Sequence, residues 1–144
     1  MIQTVTVGTD GSETADKAVQ FAFDLAEKFG AKIVIASSYR PVSEDKVRRD
    51  QRDAPEDIQW SINPTQEVDS NLNKAADRAR ERGIEAVTEA REGQPADVLC
   101  EIAEAYGSDV IVVGNRGMHR KVLGSVPNSV SHNAPCSVVI VKTT

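Results

Sequence analysis

The densest group of chemically active side chains lies at residues 114–127, where glycines and basic residues alternate. Glycines at 114, 117 and 124 allow the backbone to approach a bound molecule closely. Gly124 and Ser125 precede a predicted helix, whose first N–H groups and dipole favour an anion. The basic side chains are Arg116, His119, Arg120 and Lys121. The segment therefore predicts a phosphate site, and the alternative interpretation is a basic loop that points into water.

A second glycine-containing turn, Gly8-Thr9-Asp10-Gly11-Ser12, follows the first predicted strand. One interpretation is purely structural, since glycine and aspartate suit a tight turn and Ser12 is a good helix N-cap. The functional interpretation is that Asp10 and the backbone of Thr9 face a ligand. Both interpretations remain open at the level of the sequence.

Other chemistries find no support in the residue pattern. No G-x-x-x-x-G-K-[ST] segment occurs, and no G-x-G-x-x-G follows the first strand. No nucleophile, base and acid form a catalytic set. Cys100 and Cys136 stand among apolar neighbours and are predicted to be packing residues, and His132 is expected on a helix surface. We therefore predict no catalytic residues and no metal ligands.

The elements that must position these turns alternate along the chain. Short β-branched runs predict strands, and apolar residues at steps of three and four predict amphipathic helices. In the first helix the predicted buried stripe includes Leu25 and Phe29. The predicted strands are 2–7, 32–36, 84–89, 109–113 and 136–141, and the predicted helices are 12–30, 64–83, 95–107 and 125–132.

This alternation predicts an α/β fold with an open, doubly wound, five-stranded parallel sheet and helices on both faces. Ligands of such sheets bind at the carboxyl ends of the strands, where the strand order reverses. Strands one and four are the expected neighbours there, and each ends in a glycine turn. Residues 41–63 are charged, contain Pro55 and lack a period, so they are predicted to be a mobile excursion within a single domain spanning 1–144.

The composition limits the kinds of molecule that the protein is expected to bind. The net charge of −5 argues against general affinity for nucleic acid or an anionic membrane, and the 4% aromatic content argues against a base-stacking surface. No apolar run approaches the roughly 18 residues of a membrane span, and the N-terminus lacks signal-peptide features. The expected location is the cytoplasm.

At these motifs the chain resembles the universal stress protein family. The resemblance covers nearly the whole length and includes the opening strand with its T-D-G-S turn, V-V-G-N-R-G, G-S-V-P-N-S-V and A-P-C-S-V-V-I-V-K. The ATP-binding branch of that family carries G-x2-G-x9-G-[ST]. Here six residues separate Gly117 from Gly124, so the phosphate loop is three residues shorter and its path over a triphosphate must differ.

The resemblance implies strand order 3-2-1-4-5 and a stress-response protein that binds an adenine nucleotide. ATP, with or without Mg²⁺, is the expected ligand. Slow ATP hydrolysis occurs in the family, but no residue here requires it. The implied site residues are Gly8, Thr9, Asp10, Ser38, Val113, Gly114, Arg116, Gly117, Gly124, Ser125, Val126 and Pro127.

Three alternatives stay open beside ATP binding. In the first, the ligand is another adenosine species such as AMP or a cyclic nucleotide. In the second, the protein is a nucleotide-free dimer that acts through protein partners. In the third, it is an enzyme that turns over a substrate. The resemblance also implies a homodimer through strand five, Cys136 to Val141, because an uncovered apolar strand edge invites pairing with another chain.

Overall fold

The computed structural model describes residues 1–39, 64–115 and 124–143. The excursion predicted at 41–63, and the site residues Arg116 and Gly117 with the neighbouring basic cluster, lie outside the described residues. Predicted and observed bounds of the strands and helices agree within three residues. The elements are β1 (Thr4–Gly8), α1 (Glu13–Phe29), β2 (Lys32–Tyr39), α2 (Pro64–Glu81), β3 (Ala86–Glu92), α3 (Pro95–Tyr106), β4 (Val110–Gly114), α4 (Ser125–Asn133) and β5 (Ser137–Val141).

The five strands form one parallel sheet in the order β3-β2-β1-β4-β5, which confirms the predicted fold. β1 is central, and its Val5 and Val7 are fully buried. Continuous β-branched sequences suit such strands, because both faces of a parallel sheet are covered by helices. The strand order reverses between β1 and β4, which places their carboxyl ends side by side.

The helices cover the two faces in pairs. α1 and α2 pack on one face and α3 and α4 on the other, each pair enclosing an apolar cluster. α1 begins where the Ser12 hydroxyl accepts a hydrogen bond from the Ala15 N–H at 3.1 Å, and it ends at Gly30 with φ of +64°. Phe29, predicted to be buried, is 41% exposed, and Phe23 fills the core instead. Within the described residues no helix is long and apolar enough to cross a membrane.

The start of β3 differs from the prediction. Ile84, expected to begin the strand, belongs instead to the C-terminal turn of α2, where its N–H donates to the carbonyl of Ala79 at 3.0 Å. Gly83 has φ of +75°, and Ile84 is buried beyond it. A glycine in the left-handed region followed by an apolar residue is a common way to end a helix. Ile84 is therefore a buried residue of the helix end and not the first residue of β3.

Candidate functional site

A cavity of about 750 Å³ opens at the carboxyl ends of β1 and β4. Its walls come mainly from four stretches of the sequence: the end of β1 with the start of α1, the end of β2, the end of β4, and the start of α4. All the predicted site residues that the structure describes line it, namely Gly8, Thr9, Asp10, Ser38, Val113, Gly114, Gly124, Ser125, Val126 and Pro127. The fold thus brings together residues that lie far apart in the sequence.

The turn between β1 and α1 is fixed by hydrogen bonds to β2. The Thr9 N–H donates to the carbonyl of Ala36 at 3.0 Å, and the Ser37 hydroxyl donates to the carbonyl of Thr9 at 2.8 Å. Within the turn, Asp10 Oδ1 accepts a hydrogen bond from the Ser12 N–H at 3.0 Å. Asp10 is exposed and lines the cavity as well. The structural and the functional interpretations of this turn are therefore compatible.

Two of the predicted ligand glycines have a packing reason that needs no ligand. A Cβ atom at Gly8 would lie 2.8 Å from Leu99 Cδ1, and one at Gly114 would lie 3.2 Å from Thr143 Cγ2. Leu99 and Thr143 are themselves cavity-lining residues. These glycines let α3 and the C-terminal segment approach the sheet and so bring two further walls to the cavity.

Gly124 differs from both. It is the N-cap of α4, with φ of −61° and ψ of 162°, a conformation that any residue adopts. Its backbone therefore does not require glycine. Within the described residues no side chain caps the first turn of α4, whereas Ser12 caps α1. Residues 124–127 at this helix start line the cavity, and the free N–H groups of a helix start suit an anion.

The cavity has an apolar part and a polar part. Among the described lining residues Asp10 carries the single charge, and no lysine or arginine is present. A flat apolar ring fits against the aliphatic side chains, and a group with hydroxyls fits beside Asp10. The aliphatic lining consists of Ala15, Ala36, Val68, Leu99, Val113 and Val126.

Several lining residues were not identified from the sequence. Pro95 and Leu99 begin α3 after β3, so the rule that ligands lie at carboxyl strand ends could have suggested them. Thr143 follows the carboxyl end of β5, so the same rule could have placed it at this edge of the sheet, although its contact with the cavity depends on the fold. The other unpredicted lining residues are Thr14, Ala15, Ala36, Ser37 and Val68.

The remaining reactive side chains lie apart from the cavity. Cys100 and Cys136 are both half-buried, and burial raises the pKa of each thiol above its ordinary value. Such thiols are poor nucleophiles at neutral pH. His132 is exposed on α4, as expected. Among the described residues, no cluster of three or more histidine, cysteine or carboxylate side chains could hold a metal ion.

Comparison with known sequences gives a match over almost the full chain. The model of the universal stress protein family matches residues 1–142. The universal stress protein Rv1636 of Mycobacterium tuberculosis is 38% identical over 146 aligned positions, covering 99% of this chain and 97% of the relative.

Solved structures show the same architecture. A universal stress protein in complex with cAMP is 34% identical, with a TM-score of 0.77 and 99% coverage of both chains. The universal stress protein of Archaeoglobus fulgidus in complex with dAMP has a TM-score of 0.72 at 21% identity, covering 99% of this chain and 100% of its own.

Proposed function

Since the chain belongs to the universal stress protein family, we propose that it is a stress-response protein that binds an adenine nucleotide in the cavity between β1 and β4. The observation that carries the proposal is the convergence of residues from four separate stretches of the sequence on this one cavity. The adenine is placed near Thr9, Ser38 and Val113, and the ribose hydroxyls beside Asp10. The phosphate is placed at the first turn of α4.

The cavity volume is compatible with this assignment. Small-molecule sites usually enclose about 300–1,000 Å³, and this cavity of about 750 Å³ lies within that range. The six aliphatic side chains of its lining favour a base over a sugar chain or a peptide. The two related structures described above hold cAMP and dAMP respectively, which supports an adenosine ligand.

Two candidate ligands differ in their number of phosphates: ATP on the one hand, and AMP or a cyclic nucleotide on the other. ATP, the ligand expected from the sequence, carries a triphosphate whose charge needs cations, and the basic segment that precedes α4, with Arg116, Arg120 and Lys121, is their proposed source. A monophosphate or cyclic nucleotide needs little beyond the N–H groups of α4. The cAMP held by the 34% identical structure favours this second candidate.

We propose further that two copies associate through β5. This strand pairs with β4 alone among the described strands, and its Ile140 is 37% exposed. An apolar strand with one unpaired edge suits antiparallel pairing with a second copy about a twofold axis. The cytoplasmic location and an unidentified protein partner remain predictions from the sequence.

Calorimetry with ATP, AMP and cAMP tests the proposed function. Binding of at least one nucleotide is expected, and Gly124→Val should weaken it more than about tenfold, because the valine side chain blocks the approach of a phosphate to α4. Ala134→Val, at the opposite end of α4 and outside the cavity lining, is the matched control and should bind like the parent.

Two results would contradict the proposal. One is a parent protein that binds none of the three nucleotides, and the other is a folded Gly124→Val variant with parental affinity. Mass analysis of nucleotide released from the purified, denatured protein identifies the species. A predominance of ATP supports the first candidate, and AMP or a cyclic nucleotide supports the second.

A further inference from the structure

The C-terminal segment returns from β5 to the cavity. β5 ends at Val141, and two residues later Thr143 lines the cavity wall and is only 4% exposed. Thr143 is polar, and a buried polar side chain needs hydrogen-bond partners. Its burial therefore points to a specific attachment.

Asn115 provides that attachment. Its side-chain Oδ1 accepts two hydrogen bonds from Thr143, one from the backbone N–H and one from the hydroxyl, both at 2.8 Å. Asn115 is 2% exposed and stands directly after β4, where its N–H donates to the carbonyl of Val141 at 2.9 Å. Lys17 of α1 donates from Nζ to the carbonyl of Thr143 at 3.1 Å.

These hydrogen bonds hold Thr143 in contact with the end of β4. Thr143 Cγ2 lies so close to Gly114 that a Cβ atom there would be 3.2 Å away. Asn115 itself does not line the cavity, whereas Gly114 and Thr143 both do. Among the described residues, Asn115 therefore acts on a bound molecule through Thr143, which it holds.

We propose that Asn115 is a positioning residue for the nucleotide site, which holds Thr143 in the cavity wall through its two hydrogen bonds. The proposal rests on the function proposed above. When both hydrogen bonds are lost, the C-terminal segment leaves Gly114, and the wall beside the ribose and base opens to water. Affinity then falls because only the closed arrangement binds well.

Variants of the two residues test the proposal. Asn115→Ala removes the acceptor, and Thr143→Val removes the hydroxyl but keeps the shape, whereas Thr143→Ser keeps both donors. Asn115→Ala should weaken binding of ATP, AMP or cAMP by about tenfold. Thr143→Val should show a smaller loss because it keeps one of the two hydrogen bonds, and Thr143→Ser should bind nearly as tightly as the parent.

The matched control is Thr6→Val. Thr6 is fully buried and its hydroxyl pairs with the Ser108 hydroxyl at 2.5 Å, away from the cavity lining. Both threonine-to-valine variants remove one buried hydroxyl and should lower thermal stability similarly. Only Thr143→Val should also lower nucleotide affinity, which separates positioning from a general loss of stability.

Amide hydrogen exchange supplies a readout that does not depend on a ligand. In Asn115→Ala the Thr143 N–H loses its acceptor, so its exchange should accelerate at least tenfold, while the Val7 amide in the sheet centre keeps parental protection. A folded Asn115→Ala variant with parental affinity overturns the proposal. A parent protein that binds no nucleotide overturns the proposed function instead. Unchanged exchange of the Thr143 amide in Asn115→Ala, whether or not a nucleotide binds, overturns the attachment itself.

Discussion

Gly11 occupies the turn between β1 and α1 with φ of +82°, and a Cβ atom there would collide with the side chain of Asn71 on α2. Two separate costs therefore oppose any side chain at this position. One is the left-handed backbone conformation, which costs about 1–2 kcal/mol for a residue with a Cβ atom. The other is the contact with Asn71. The absence of a side chain at Gly11 therefore lets α2 pack close to the turn that carries Thr9 and Asp10.

Gly11→Ala should lower the free energy of unfolding by about 2–3 kcal/mol, the sum of the backbone strain and the forced movement of Asn71. Gly30→Ala is the matched control, because Gly30 also has a positive φ but no atom within 4 Å of the added Cβ. It should cost only about 1–2 kcal/mol. Urea unfolding measures both values.

The same comparison in an Asn71→Ala background isolates the contact. Removing the Asn71 amide should bring the cost of Gly11→Ala down to that of Gly30→Ala. An unchanged cost in that background would mean that the backbone conformation alone explains the glycine.

Asp109 joins two central strands at their amino ends. It stands just before β4, and its Oδ2 accepts hydrogen bonds from the N–H groups of Gln3 at 2.7 Å and Thr4 at 3.0 Å, where β1 begins. These backbone donors hold the pKa of the Asp109 carboxyl below its ordinary value. Because the folded state favours the ionised form, the stability that Asp109 contributes is present above the ordinary carboxyl pKa and is lost as the pH falls through the lowered one.

Asp109→Asn should therefore have a lower urea midpoint than the parent at pH 7. The difference in urea midpoint between the variant and the parent should stay constant down to about pH 5 and shrink as the pH falls below about 4. Glu104→Gln removes an exposed carboxylate of α3 and should differ from the parent by less than about 0.5 kcal/mol at each pH. A difference in urea midpoint between Asp109→Asn and the parent that does not narrow at all as the pH falls from about 5 to about 2 would show that the charge is not what stabilises this junction.

At the scale of the whole molecule, the direction of the backbone groups of β5 determines how a second copy can pair with it. The carbonyl of Val141 accepts from the N–H of Asn115, so Val141 points its backbone groups toward β4. Alternate residues of a strand paired on one side share that direction. Val139 therefore also points toward β4, and the groups of Val138 and Ile140 face the open edge.

Ile140→Pro should convert the proposed dimer to a monomer while leaving the fold intact, because it removes an N–H donor from the open edge. Val139→Pro, in contrast, removes a donor to β4 and should destabilise the sheet by about 3 kcal/mol or more. Light scattering at micromolar concentration measures the mass, and circular dichroism checks the fold. A parent that is already monomeric, or an Ile140→Pro variant that remains a dimer, would contradict pairing through β5.

The sequence by itself determined the order of the elements, the parallel sheet and the two glycine turns that meet at the cavity. These depend on local patterns: β-branched runs, helical periodicity, the Ser12 cap and the glycine turns that follow β1 and β4. Ile84 shows the limit of such patterns, because an apolar residue before a strand and one after a helix look alike until the hydrogen bond to Ala79 is known.

Only the tertiary structure decided what each glycine accommodates and what closes the cavity. Gly8 makes room for Leu99, Gly11 for Asn71 and Gly114 for Thr143, and each pair is separated by more than 25 positions of chain. Steric contacts of this kind arise when distant elements pack, so they leave no period or spacing in the sequence. Thr143 and Asn115 illustrate this most clearly, since their hydrogen bonds exist only because β5 lies beside β4.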